Sequence, residues 1–330
     1  MRTYKRLSYE DQVKIETYLT LGKEKAEISR LLNRPKSTIG REIGRNSTLG
    51  YKANDAEYIL GFMSKKKHHK GNKIKRNPLL EYYIILRLRQ RWSPEEISNR
   101  LKQRQGKNNR MQISHESIYT YIYTIAKGAL KKELISYLFQ QKSRRKKPES
   151  NVEILSKITD RVDISERSPD VEGRLIPGHW ESDLIAGKNN KSFIGTIVER
   201  TTRATLIVKL ENKKASTVRK AFAESLQTLP QQMLLSMTHD NGTEMSEHKL
   251  FTRDTKIKVY FAHPYCSYER GTNENTNGLI RAFFPKGTDF NSIPSGKLRE
   301  VQDLMNNRPR KCLGWLTPKE VFDDYILKKC

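Results

Sequence analysis

Three carboxylates in the rear half of this 330-residue sequence stand where they could do chemistry. Asp183 lies in the apolar run GHWESDLIAG, Asp240 follows MLLSMTH and precedes Asn-Gly, and Glu274 sits in YERGTNENTNGLIRAFF. The first two runs have strand character and the third is helical, so Asp240 ends a strand on a tight turn. Bare acids at neighbouring strand ends repel one another. Mg²⁺ or Mn²⁺ would make them favourable, because hard cations prefer carboxylate oxygens. Three carboxylates can hold two such ions about 4 Å apart, which activates an attacking oxygen and stabilises a leaving one in phosphoryl transfer. Taken alone, three acids among 37 are better explained as solvated or helix-capping groups. Glu181, two residues before Asp183 on the same side of the strand, reaches the same place.

The elements around these acids set the fold class. GHWESDLIAG, KSFIGTIVER and ATLIVKL are consecutive β-branched segments split by turns, which predicts an antiparallel meander. A helix in STVRKAFAESLQTL stops at Pro230; then come the strand MLLSMTHD, a short helix around SEHKLF, the strand IKVYFA and the helix carrying Glu274. This order predicts an α/β domain with a mixed sheet. Trp180 is expected in the sheet's core, and His179 and His239 as structural histidines.

The front half has a different character. Of the net charge of +26, +21 falls in residues 1–150 and +5 in 151–330, so the front is the expected polyanion-binding half. The segment RLSYEDQVKIETYLTLGKEKAEISRLLNRPKSTIGREIGRN predicts three short helices. Ser8 and Asp11 form a capping box, Ile15, Tyr18 and Leu19 a stripe, and Gly22 the stop. The second helix is expected to bury Ala26, Ile28, Leu31 and Leu32. The third turns Ile39 and Ile43 inward and leaves Lys36, Ser37, Thr38, Arg41, Glu42 and Arg45 outside. That is a helix-turn-helix layout, with Arg41 the candidate base reader and Lys36, Ser37, Thr38 and Arg45 as further DNA contacts. WSPEEISNRLKQRQGKNNRMQISHESIYTYIYTIAKG repeats the pattern, with Ser93 and Glu96 as a second capping box and Ser114 capping a helix that exposes His115, Glu116 and Ser117. The basic runs at 64–78 and 140–150 are expected as a phosphate-tracking arm and a linker. His68 and His69 are not expected to bind metal. Cys266, Cys312 and Cys330 form no CxxC pair and fit a reducing cytosol. No stretch has the roughly 18 apolar residues of a spanning helix, and the start carries no export signal.

The blocks GHWESDLI, THDNGTE and HPYCSYERGTNENTNGLIRAFFPKGTDF together resemble the catalytic core of the DDE transposases of the bacterial insertion-sequence thirty family. The likeness covers nearly the whole chain, including the front helix-turn-helix, the second helical block and the closing LMNNRPRKCLGWLTPKEVF. It implies a ribonuclease-H-like, integrase-like core, with Asp183, Asp240 and Glu274 as the catalytic, metal-binding triad and two Mg²⁺ or Mn²⁺ ions as its expected occupants. The 33 residues between Asp240 and Glu274 match that family's spacing. The motif places its first acid at Asp183, leaving Glu181 a supporting role, and its following basic residue at Arg281, a candidate DNA-phosphate contact. His263 stands where related sequences favour an acid.

The resemblance implies a bacterial cytoplasmic, nucleoid-associated transposase that cuts and joins the terminal inverted repeats of an insertion sequence. Its partners would be double-stranded repeat and target DNA, with a homo-oligomer on paired ends and no membrane. A DNA-binding regulator with a catalytically silent dimerisation domain, or a metal-dependent nuclease without joining, are the rival readings. The expected organisation is a helix-turn-helix domain at 1–60, a basic connector at 61–78, a second helical region at 79–140, a linker at 141–170 and the catalytic domain at 171–330.

Overall fold

The computed structural model describes residues 7–46, 50–65, 73–105, 110–138, 158–263 and 266–329. Residues 66–72 of the first basic run, with His68 and His69, all of the second run and Cys330 lie outside the described residues. The chain divides into two compact units, Met1–Leu138 and Phe139–Cys330.

The first unit is helical. α1 (Tyr9–Thr20), α2 (Lys25–Leu31) and α3 (Lys36–Asn46) are the three expected helices, and the Ser8/Asp11 capping box is fully formed. Ile15, Ile28, Ile39 and Ile43 make their shared core. Two expectations fail here. Leu31 is exposed, because a seven-residue helix that buries Ile28 turns Leu32, four residues on, toward the core and leaves Leu31 at its edge. Glu42 is buried, since Ile39, Glu42, Ile43 and Asn46 form one inward stripe at i, i+3, i+4 and i+7. Its carboxylate is tolerated inside because Gln12 Nε2 donates to it at 3.1 Å and Asn46 Nδ2 at 3.2 Å.

α4 (Ala53–Lys65) packs on α1, and Glu16 accepts the amide of Ala53 at its start. This helix runs across the expected boundary at residue 60. α5 (Lys73–Arg76) and α6 (Pro78–Arg89) lead to α7 (Pro94–Gln105), which opens with the expected Ser93/Glu96 box. Ser114 caps α8 (His115–Thr120), which continues as a π-helical turn through Ile125 before α9 (Gly128–Ser136). α6 supplies Leu80, Tyr83, Ile84 and Leu88 to the core of this region, although its near-uniform apolarity gives no amphipathic stripe to read.

The second unit is built on a five-stranded sheet of order β3-β2-β1-β4-β5. β1 (His179–Ala186), β2 (Phe193–Glu199) and β3 (Thr205–Leu210) form the expected antiparallel meander. β4 (Ser236–His239) joins β1 in parallel and β5 (Lys258–Phe261) joins β4 in parallel, so the sheet is mixed. Alternation along the strands makes two cores. Trp180, Ile197, Val208 and Met237 face α10 (Ala215–Leu226) and α11 (His248–Thr255). Ile185, Ile194 and Ile207 face α12 (Gly271–Ile280) and α13 (Ser295–Asn306), and α14 (Pro318–Lys329) follows. The indole N–H of Trp180 donates to the Met233 carbonyl at 2.6 Å, which fixes this anchor in the first core. Gly195 lets the Phe222 ring press onto β2, where any Cβ would collide with it. Residues 158–171, expected as linker, lie along the sheet: Asp163 bridges to Phe261, and Arg167 donates to Thr238 at 2.9 Å.

His179 joins the two strands of the active face, its Nδ1 lying 2.7 Å from Ser236 Oγ. Burial, with help from Arg167 and Arg200, lowers its pKa from 6.5 to about 4. The folded state therefore prefers the neutral ring, so its stabilising contribution is complete above pH 6.5 and is lost as pH falls toward 4. Between pH 7.5 and 5, His179→Gln is expected to lose less denaturant stability than the parent, by at most about 1 kcal/mol after allowing for the ring's partial exposure. Equal losses in the two proteins would show that another group sets the slope.

Candidate active site

The acidic face is built from β1, the end of β4 and the first turn of α12. Parallel pairing sets Glu181 beside Thr238, and two residues further along each chain stand Asp183 and Asp240. Asp240 follows directly after β4, where the turn through Asn241 and Gly242 lets the Gly242 amide donate back to Asp240 Oδ1 at 3.1 Å. Both carboxylates turn toward the guanidinium of Arg270, which lies 3.7 Å from Asp183 and 3.4 Å from Asp240 and donates to the Ser182 carbonyl at 3.2 Å. Two part-buried acids thus share one cationic group.

Their protonation is pushed apart. Burial raises the pKa of Asp183 and the charge of Asp240 adds to this, with Arg270 opposing. Burial acts on Asp240 as well, but the His239 ring, 3.0 Å from its Oδ1, Arg270 and the Gly242 amide together hold it well below the usual carboxylate range. Of the two, Asp240 is the permanently ionised one. Asp183 is oriented by its neighbours instead: its Oδ2 accepts from Asn277 Nδ2 at 2.8 Å and its Oδ1 from the Leu184 amide at 2.9 Å.

α12 carries Glu274 in its first turn, exposed to solvent. The neighbouring Asn273 and Asn277 face the sheet, where the Thr196 hydroxyl lies 3.1 Å and 2.9 Å from their side-chain oxygens. Glu181 is fully buried; its Oε2 accepts the Asn273 amide at 2.9 Å, and its Oε1 is 3.2 Å from Arg200 Nη1. Arg281, at the end of α12, donates to the Ala186 carbonyl at 2.7 Å, so this guanidinium is tied to the end of β1. His263 lies between Asp163 at 3.0 Å and Glu269 at 2.7 Å, beside the turn that holds Arg270.

The donor set suits a hard divalent cation. Asp183 and Asp240 already accommodate positive charge between them, in the form of Arg270. Among the described residues, the group of three ligand-capable side chains whose donor atoms fall within 4.8 Å of one another is His239, Asp240 and Glu244. Asp183 and Glu274 both stand outside that group. Arg270, Asn277 and Glu244 were missed from the sequence. Asn277 had a legible signal, three residues after Glu274 on the same helix face. Arg270 had none, because only the folded chain brings the turn before α12 against β1 and β4.

In the front unit, Lys36, Ser37, Arg41 and Arg45 are exposed along α3 and Thr38 is half-buried. The Arg41 side chain lies along its own helix, with Nε donating to the Ser37 carbonyl at 3.1 Å. His115 and Glu116 are exposed on the leading turn of α8, and Ser117 is half-buried. Among the described residues no helix is long and apolar enough to cross a membrane.

Comparison with known proteins accounts for both units. Residues 3–46 match a helix-turn-helix domain and residues 176–267 an integrase core domain, which is a ribonuclease-H-like fold. The chain is 37% identical to the transposase for insertion sequence element IS1086 of Cupriavidus metallidurans, over 97% of this chain and 94% of that protein. It is 38% identical to the transposase InsI for insertion sequence element IS30A of Escherichia coli, over 90% of this chain and 78% of that one. The transposase for insertion sequence element IS4351 of Bacteroides fragilis is 36% identical, over 98% and 97%. With a helix-turn-helix domain ahead of an integrase core and likeness at this level over almost its full length, the chain belongs to the transposases of the insertion-sequence thirty family.

Proposed function

We propose that Asp183, Asp240 and Glu274 form the catalytic centre of a transposase that binds the terminal inverted repeats of its element, cuts the DNA at the ends and joins them to a target. The observation that carries this is the convergence of Asp183 and Asp240, from adjacent strands, on a single positive charge. Asp183, Asp240 and Glu274 would hold Mg²⁺ or Mn²⁺, with two ions the expected number. When bound, the ions supply Lewis acidity to the attacking and leaving oxygens.

The chain's own groups do the positioning. Asp240 is kept ionised by His239 and the Gly242 amide, and Asn277 fixes the direction of Asp183. Glu181 is fully buried, with Oε2 accepting the Asn273 amide and Oε1 facing Arg200, which favours Asp183 over Glu181 as the first ligand. In cleavage, the oxygen of water forms a bond to phosphorus and the 3′-oxygen leaves as a hydroxyl. In joining, that hydroxyl loses its proton to solvent as its oxygen forms a bond to a target phosphorus, and the target strand's own 3′-oxygen leaves as a hydroxyl. No covalent bond to the protein is required, because positioning and electrostatics supply the rate. Arg281 stays in the reading as a phosphate contact made beside its bond to Ala186. DNA as substrate implies the bacterial cytoplasm, and the two ends of an element imply at least two copies acting together.

The front unit is the DNA reader, with Lys36, Ser37, Thr38, Arg41 and Arg45 on α3 facing the duplex. Arg41→Ala in the full chain is expected to cost about 1 to 3 kcal/mol on the cognate repeat and to narrow the gap to random DNA. Equal weakening on both DNAs, in gel shifts at one salt concentration, would reduce Arg41 to a backbone contact. The affinity of the parent should fall linearly on a log-log salt plot.

For catalysis, Asp183→Asn, Asp240→Asn and Glu274→Gln keep shape while removing a charge the ions require. Each should abolish cleavage and strand transfer on labelled ends with a supercoiled target, yet bind the repeat nearly as the parent does. Ca²⁺, larger and tolerant of irregular coordination, should support assembly with little chemistry. Wild-type cutting by purified Asp240→Asn in Mg²⁺ would reject the triad, and cutting without joining by the parent would leave a nuclease.

A further inference from the structure

We propose that Glu181 is the positioning residue for Glu274, acting as an N-terminal cap that β1 supplies to α12 from across the fold. This rests on the reading of Glu274 as a metal ligand and assigns what holds it in place.

The first amides of a helix have no partner within it and need an acceptor. The residue at the N-cap position of α12 is Arg270, which makes no side-chain capping bond. Glu181 fills that role from β1. Its Oε2 accepts the Asn273 amide at 2.9 Å, and the carboxylate faces the positive end of the helix dipole. The residue so held directly precedes Glu274, so the bond fixes the backbone from which Glu274 projects.

The arrangement is rigid at both ends. Glu181 has no exposed surface, and Arg200, itself buried, faces its other oxygen at 3.2 Å. Arg200 comes from the turn after β2, and from the same turn Arg203 donates to Thr272 Oγ1 at 2.7 Å. Glu181 and Arg203 therefore tie the first turn of α12 to β1 and to the turn after β2, with Arg200 behind the carboxylate. A helix of composition GTNENTNGLI has little intrinsic tendency to form. Without this anchor its first turn has only side-chain amides and hydroxyls to hold it. Asp183 and Glu181 point to one face two residues apart, so the same strand presents one ligand directly and sets the position of another through the helix.

The test uses the full chain and three measurements: hydrogen exchange of peptides covering 271–280 with β2 as internal reference, Mn²⁺ binding by electron paramagnetic resonance, and cleavage of repeat DNA. In Glu181→Ala, exchange in the first turn of α12 should rise about fivefold or more while β2 is unchanged. The Mn²⁺ midpoint should move to higher concentration, and the cleavage rate at saturating DNA should fall with repeat affinity unchanged. Glu181→Gln retains an acceptor oxygen and should recover most of the protection. If Glu181→Ala fails to fold because Arg200 is left without its partner, Glu181→Met with Arg200→Met removes the buried pair together, a replacement that buried sites tolerate. That double variant should show the same loosening of α12. Parent-like exchange at 271–280 in the folded variant overturns the proposal, and if Mn²⁺ binding falls with it, Glu181 is itself a ligand. Loosening of α12 and β2 together also overturns it, since Glu181 then supports the whole domain. Glu274→Gln binding Mn²⁺ as the parent does would reject Glu274 as a ligand while leaving the exchange result on α12 intact.

Discussion

Parallel pairing of β1 with β4 is the constraint from which the rear unit's polar architecture follows. It sets two acids side by side at the point where β4 ends, and neither can be charged cheaply without compensation. The compensation comes from five groups: a guanidinium from the turn before α12, an imidazole from the residue preceding Asp240, a backbone amide from the Asn-Gly turn, the Leu184 amide and a side-chain amide from α12. These are unequal, and the inequality gives the two acids different characters. Asp240 receives the imidazole and is held ionised, whereas Asp183 is dominated by burial and rises. A divalent cation would remove that difference by favouring the ionised form of both.

The second consequence concerns α12. Its sequence is rich in Gly, Asn and Thr, residues that favour caps and turns over helix interiors. Leu279 and Ile280 anchor its far end in the apolar core, but its near end is held by polar contacts to β1 and β2. Polar docking suits an acid-bearing helix beside a sheet. An apolar contact there would exclude the carboxylates, while hydrogen bonds specify a single register and leave Glu274 facing outward.

What the sequence made legible was local or periodic. The two capping boxes, the β1–β3 meander and the positions of Trp180, Ile39 and Ile43 depend on neighbours within a few residues or on simple alternation, and all appear as expected. The failures come from two sources. Glu42 lies on the inward stripe by position, but its charge suggests an outward one; Gln12, 30 residues earlier, and Asn46 make its burial tolerable. α6 is apolar on nearly all sides and carried no periodic signal, and α13 and α14 were not read either. Asp183 and Asp240 both lie beside Arg270, and that cation is invisible in the sequence because Arg270 reaches them only through tertiary folding. Arg281 is expected to contact DNA from its match to the family's basic residue after the last acid, and the carbonyl of Ala186 that receives it belongs to a strand 95 residues away.

The buried Gln12–Glu42–Asn46 network has a consequence for how such elements diverge. It ties α3 to α1 through hydrogen bonds that no single neutral or apolar replacement can reproduce, so the inward stripe of the recognition helix is closed to change one residue at a time. The outward side chains at Lys36, Ser37, Arg41 and Arg45 carry no comparable burial. On the proposed reading of α3 as the DNA-facing helix, drift in the ends of a mobile element is met by substitutions on that outer row, while the packing of α3 on α1 is kept.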